Sequence, residues 1–257
     1  MKKNLYLLFF LPLWLACKPV DAPLFGVEPK LAYNDEALFS KKTYCTDAAC
    51  NDPFQEELYL YNASGKLTRI NYYSRTAIGK LENLNYTDLI YNASGQLTNK
   101  ISYHKIYQGT GFEIGSESEF EYKNGVLHSE KMFSNFKYPD RRVATGEITY
   151  LFENGKKTSQ SSYDMQNKLS YRIGYTYKND VLTRETYYDP TGKEMRSFEH
   201  LFSGNLRQIG EYVASSKEQV ALIERRYDDQ GRLLTQQTKV SNPLLCAMVP
   251  GMIRYSY

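Results

Sequence analysis

Thiols, imidazoles, carboxylates and a few clusters of rings with cations are the groups in this 257-residue sequence that could do chemistry. Cys45 and Cys50 stand in Cys-Thr-Asp-Ala-Ala-Cys, and Cys246 lies near the C-terminus. In an oxidising compartment the close pair can form a local disulfide, with Cys246 as the alternative partner. His104, His128 and His200 are scattered without the spacing of metal ligands, so no metal site is expected. Glycan hydrolysis needs two carboxylates converging on one bond. Asp140, Glu113 and Glu117 are the candidates, but nothing in their spacing selects a pair. No nucleophile elbow, zinc motif or phosphate loop occurs, so neither a catalytic residue nor a cofactor is expected. The remaining group is Arg75, Lys80, Lys137, Arg141 and Arg142, which stand near Tyr107, Phe112 and Tyr138. Rings beside cations suit sugars, acidic glycans or a partner protein; solvated segments without a ligand are the plainer reading.

Cys17 is a thiol of another kind. Lys2 and Lys3 precede an apolar run from Leu5 to Leu15, too short for a typical spanning helix. Trp14-Leu15-Ala16-Cys17 then resembles a bacterial lipobox, with Trp14 where Leu is usual. That resemblance implies cleavage before Cys17 and a diacylglycerol on its sulfur, each buried CH₂ adding about 0.8 kcal/mol of membrane affinity. An ordinary secretory signal or a short anchor is the alternative. Residues 1–16 are therefore expected to be a lipoprotein signal peptide, 17–29 a tether and 30–257 one domain. The expected location is the bacterial cell envelope, lipid-anchored at the outer membrane. Removing Lys2 and Lys3 lowers the formal charge from +3 to +1. That is no polyanion-binding signature, and nucleic acid is not an expected partner.

The elements that would position these groups follow from a repeat. Tyr33, Tyr61, Tyr91, Tyr122, Phe152, Tyr177, Phe202, Tyr227 and Tyr257 mark it. A second set trails the first by 10 to 12 residues: Tyr44, Tyr72, Tyr103, Phe133, Tyr163, Tyr188 and Tyr212, with Thr238 breaking the series. Between the two sets lies turn chemistry: Asn62-Ala63-Ser64-Gly65, Asn92-Ala93-Ser94-Gly95, Asn124-Gly125, Asn154-Gly155 and Asp228-Asp229-Gln230-Gly231. Asn and Asp open turns through their own side chains, and Gly supplies positive φ where the chain reverses. Either side, apolar and polar residues alternate, as in Glu119-Phe120-Glu121-Tyr122 and Ile148-Thr149-Tyr150, the period-two signature of half-buried strands.

The segment Tyr227-Asp228-Asp229-Gln230-Gly231-Arg232-Leu233 resembles the YD-repeat (RHS-type) family throughout its motif, and the stretches from Tyr61 and Tyr91 resemble it with Asn for Asp. Tyr188-Asp189-Pro190-Thr191-Gly192-Lys193 is similar until Glu194, where the motif has Leu. The chain also resembles the tyrosine-rich lipoproteins of the Bacteroides group. The resemblance implies a porin-like antiparallel β fold and says little of function; large family members form shells around toxins, for which this chain is far too short.

The expected fold is all-β: an antiparallel meander of about 15–17 strands from repeated hairpins, curled into a flattened barrel or sandwich-like closed sheet. Pairing the terminal Tyr255-Ser256-Tyr257 with residues 38–44 would remove two exposed edges. Half the connections at one end are about five residues longer than the rest, which predicts long loops around 74–80, 107–115 and 136–146. These hold the rings and cations named above. Glu117, Glu119 and Glu121 on one strand's outer face argue against a membrane-spanning barrel, which needs an apolar band. The expected role is a non-enzymatic binding or scaffold lipoprotein with a glycan or protein ligand. The alternatives are a glycan- or cell-wall-active enzyme and an inhibitor or immunity-type partner protein.

Overall fold

The alternating segments pair into sixteen strands among the described residues: β1 (Lys41–Cys45), β2 (Gln55–Tyr61), β3 (Leu67–Arg75), β4 (Leu81–Tyr91), β5 (Leu97–Lys105), β6 (Phe112–Lys123), β7 (Val126–Phe136), β8 (Arg141–Glu153), β9 (Lys156–Asp164), β10 (Leu169–Lys178), β11 (Val181–Tyr188), β12 (Glu194–Ser203), β13 (Leu206–Val213), β14 (Glu218–Tyr227), β15 (Leu233–Val240) and β16 (Gly251–Ser256). This computed structural model describes residues 38–257 apart from 48, 108, 137–140 and 245–250, and only the backbone of Phe136 and Arg141. The expectations placed on Cys17, the signal peptide, the tether, Lys137, Tyr138, Asp140 and Cys246 lie outside the described residues.

Each strand runs antiparallel to the next, and β16 returns to β1 to close the barrel. The seam matches Lys41 with Ser256 and Cys45 with Met252, which is the closure that the half-unit at the C-terminus predicts. At one end, the turn end, Asn62 Oδ1 accepts the N–H groups of Ser64 and Lys66 at 3.0 Å each. Asp228 Oδ1 does the same for Gln230 and Arg232, at 2.9 and 2.8 Å. One of these turns was not legible as a repeat. Tyr163-Asp164-Met165-Gln166-Asn167-Lys168-Leu169, at the opposite end, makes the same bonds from Asp164 Oδ1 to Gln166 and Lys168. There Asn167, at φ 58°, stands where the motif has Gly.

The opposite end, the rim, corrects the loop expectation. The connection between β3 and β4 is only residues 76–80, as long as the 189–193 connection between β11 and β12, and that between β5 and β6, 106–111, is one residue longer. The extra residues lengthen strands instead: β4, β6, β7 and β8 run 11, 12, 11 and 13 residues, whereas β11 and β13 run 8. Extension lets the added backbone groups pair in the ladder rather than seek water. The barrel wall is thus taller on that side.

Residues facing each other across the ladder share a face. On the lumen face, Tyr59, Ile70, Thr87, Ser102, Ser116 and Ser134 form one continuous row from β2 to β7. Further round, Tyr175, Glu185, Phe198, Glu211 and Ala221 form another from β10 to β14. The second stretch is bulky and dry, with Ile209, Ala221, Ile223 and Glu211 buried. The first carries small hydroxyls, and Asn85, Lys100 and Ser116 stay exposed inside it. Side-chain volume therefore makes one half of the lumen packed and the other wet.

Candidate functional site

At the rim, the structure separates the residues that sequence reasoning grouped. Arg75 ends β3 and is occupied: its guanidinium pairs with Asp52, one contact being 2.6 Å, and donates to the Pro53 carbonyl at 2.7 Å. That pair pins the β1–β2 connection, where Cys45 and Cys50 are disulfide-bonded with Cα atoms 5.1 Å apart. The hydrogen bond from Arg75, with its charge, in turn holds the Asp52 carboxyl below its usual range. Arg142, in β8, lies 3.4 Å from the Phe133 ring and bonds Glu117 at 2.5 Å and Glu119 at 2.6 Å. Phe112 opens β6 edge-on to Tyr86, which stacks on Tyr103 at 4.4 Å. Arg69 covers Tyr86 and pairs with Asp88. Lys80 closes the β3–β4 turn, its carbonyl accepting the Thr76 N–H at 2.9 Å. Tyr107 stands 89% exposed at the β5–β6 tip. Arg142, Phe112 and Arg75 thus brace the wall, while Tyr107 and Lys80 remain at the mouth.

The packed half of the lumen holds a polar network that the sequence did not announce. His200, 4% exposed, accepts from Arg207 Nη2 at 2.7 Å through Nδ1, which puts its own proton on Nε2, 3.2 Å from Glu185 Oε1. Burial pushes the His200 pKa down, and the Arg207 and Arg225 charges add to this against the pull of Glu185. Burial would raise Glu185, but the hydrogen bond from His200 and the nearby cations bring it below its ordinary value. Across the seam, Glu57 accepts from Tyr44 at 2.5 Å and from Tyr59, and burial drives both phenols well above their ordinary range. Glu211, fully buried, pairs with Arg196 at 2.5 Å. Each of these charges is matched by a neighbour, so the network reads as architecture.

The wet half is different. A cavity of about 360 Å³ is lined by Tyr72, Asn85, Thr87, Lys100, Ser102, His104 and Ser116, together with wall residues of β4–β6. Thr87 Oγ1 lies 3.0 Å from Ser102 Oγ, and the Tyr72 phenol shares a hydrogen bond with Thr87. Above it, a second cavity of about 480 Å³ is lined by Leu84, Asn85, His104, Lys105, Ile106, Tyr107 and Gly109. The two share Asn85 and His104, so a polar path runs from Tyr107 at the mouth to Lys100 on the wall. Of the sequence candidates only Tyr107 touches it; the hydroxyl row was invisible without the register. Hydroxyls, an amide, a phenol ring and one ammonium can hold a polyhydroxylated ligand. Among the described residues no cluster of His, Cys, Asp and Glu fit for a metal occurs.

No family model matches this chain, and no curated protein does. Among solved structures, it is similar to a porin-like protein from Bacteroides uniformis, 14% identical over 89% of this chain and 99% of that one, with a TM-score of 0.40. It is similar to a protein of unknown function from Bacteroides fragilis, 18% identical over 51% of this chain and 89% of that one, with a TM-score of 0.39. A chain of the TcdB2-TccC3-Cdc42 structure is 9% identical over 83% of this chain but 13% of its own length, with a TM-score of 0.30.

Proposed function

We propose that this chain is a non-enzymatic binding lipoprotein of the bacterial cell envelope, of YD-repeat type, whose lumen takes a glycan ligand through the rim. The observation that carries the reading is the polar path from Tyr107 to Lys100, lined by small hydroxyls and an amide where the other half of the lumen is filled. Lipid on Cys17 would hold the barrel at a membrane, and β1 begins at the turn end, opposite the rim. A protein ligand is the second reading, favoured by the exposed apolar tips Ile78, Tyr107 and Leu244 at the rim.

A glycan array probed with the full-length protein in detergent tests the first reading. Ser102→Leu fills the cavity without touching the rim, and it is expected to abolish the array signal. Signal that survives this substitution, with the variant folded by circular dichroism, rules the lumen out. Capture of a protein partner that Ile78→Ser and Tyr107→Ser abolish would favour the second reading.

A further inference from the structure

We infer that the lumen cavity selects a sugar bearing a carboxylate, a uronic acid or its like, with Lys100 as the residue that reads the charge. The inference rests on the binding reading above and adds the ligand class. Lys100 sits on β5, opposite Leu89 of β4 and Ser118 of β6, and is exposed within the lumen. Among the described residues its ammonium has no ion pair, hydrogen bond or ring contact. The other cations described on that face have neighbours: Lys42 lies 3.6 Å from Glu57, Arg196 2.5 Å from Glu211, and Arg225 donates to Gln236 at 2.9 Å. Lys157 lies 3.5 Å from Gln160 and Arg207 2.7 Å from His200.

The lumen carboxylates are equally committed. Glu57 holds two tyrosines, Glu113 lies 3.1 Å from His104 Nε2, Glu130 accepts from Tyr150 at 3.0 Å, and Glu185 and Glu211 face His200 and Arg196. Nothing described within the barrel neutralises Lys100, so the countercharge that fits is a ligand's.

The surroundings specify the rest of that ligand. Thr87, Ser102 and Ser116 present hydroxyls that donate and accept, as sugar hydroxyls do, and Asn85 adds an amide. Tyr72 offers a half-buried ring at the same wall. A volume of about 360 Å³ is at the small end of ligand pockets, roughly 300–1,000 Å³, and suits one or two sugar units. Lysine presents a point charge with rotatable donors rather than a planar fork, so one carboxylate is enough and bidentate geometry is not required.

Isothermal titration of the full-length protein in detergent tests this with four probes: glucuronate, galacturonate, glucose and acetate. A uronate should bind at least tenfold tighter than glucose, acetate should not bind measurably, and added salt should weaken the uronate alone. Lys100→Gln should remove the uronate advantage over glucose, and Lys100→Arg should restore most of it. Equal affinity for uronates and glucose in the wild type, or a uronate preference unchanged in Lys100→Gln, overturns the inference. Glucose binding that Ser102→Leu abolishes would then leave the lumen reading standing. Failure of all four probes, beside an array signal that Ser102→Leu blocks, overturns the acidic-sugar assignment alone.

Discussion

His200 shows how little of a barrel's polar interior a single strand reveals. Its partners come from two neighbouring strands, Glu185 diagonally across β11 and Arg207 across β13. Read along the chain it is one of three isolated histidines; only the register makes it a link between a carboxylate and a guanidinium. The consequence is a pH dependence with a defined sign. Burial holds His200 below its ordinary value of 6.5 in the fold, so the unfolded chain takes up a proton first as pH falls. Its contribution is present above pH 6.5 and is lost as the pH drops through that value toward the folded pKa. Glu185 is also lowered, from 4.5, and its contribution fades in a separate, more acidic window. Urea unfolding at pH 7.5 and 5.5 should show a lower midpoint at 5.5, and His200→Gln should flatten that difference. The substitution itself should cost about 1–3 kcal/mol at pH 7.5, because it disturbs the buried hydrogen bond from Arg207 and the close contact with Glu185. An unchanged slope between the two pH values in the variant would place the acid sensitivity elsewhere.

At the scale of the element, the turns were legible because their chemistry is local, and the strand lengths were not because theirs is shared. Asn62, Asp164 and Asp228 act through one carbonyl or carboxylate oxygen that gathers two backbone N–H groups, so Asn and Asp are equivalent in the motif. Asn62→Ala should therefore cost about 1–2 kcal/mol of stability, whereas Asn62→Asp should stay within about 0.5 kcal/mol of the wild type; thermal unfolding followed by circular dichroism distinguishes them. Equal losses would mean that the amide nitrogen matters instead. The aromatic markers have a related cause. A register shift lies beside Tyr61, Tyr91, Tyr122, Phe152, Tyr177 and Tyr227, where an extra residue on the partner strand bulges and bends the wall. The trailing set marks the bulges at the rim, and there the sequence count was off by one. Tyr73, not Tyr72, follows the shift in β3 and so matches Tyr103 and Phe133, while Tyr72 faces Glu57 on the lumen side. Whether added residues extend a strand or loop out depends on the partner strand lengthening too. In β7 and β8 both do, and no property of either segment alone declares it.

For the whole molecule, closure was readable because an open end is costly, while the division of the lumen was not, because it depends on which small and large residues come to share a row. The outer face agrees with a barrel outside the bilayer: Arg69 with Asp88, Lys41 with Glu56, Arg184 with Glu199 and Lys239 with Glu224 stand where a spanning barrel carries its apolar band. All of this hangs on the β1–β16 seam, the shortest pairing partners in the sheet at five and six residues. Thr43 sits at the centre of the seam strand, matched with Arg254 on one side and Glu56 on the other. Thr43→Pro removes a ladder donor and forces the ring against a neighbouring strand, which an interior strand does not tolerate. With β1 displaced, β2 and β16 become two unpaired edges, each a template for another copy of the chain. Light scattering after gel filtration should then show larger species than the wild type forms, and the unfolding midpoint should drop. Thr43→Val keeps the donor and the β-branched shape, and it should match the wild type in size. A Thr43→Pro protein of wild-type size and undiminished stability would mean that the remaining fifteen strands close without the first, and that the short seam strand serves the rim connection rather than the barrel.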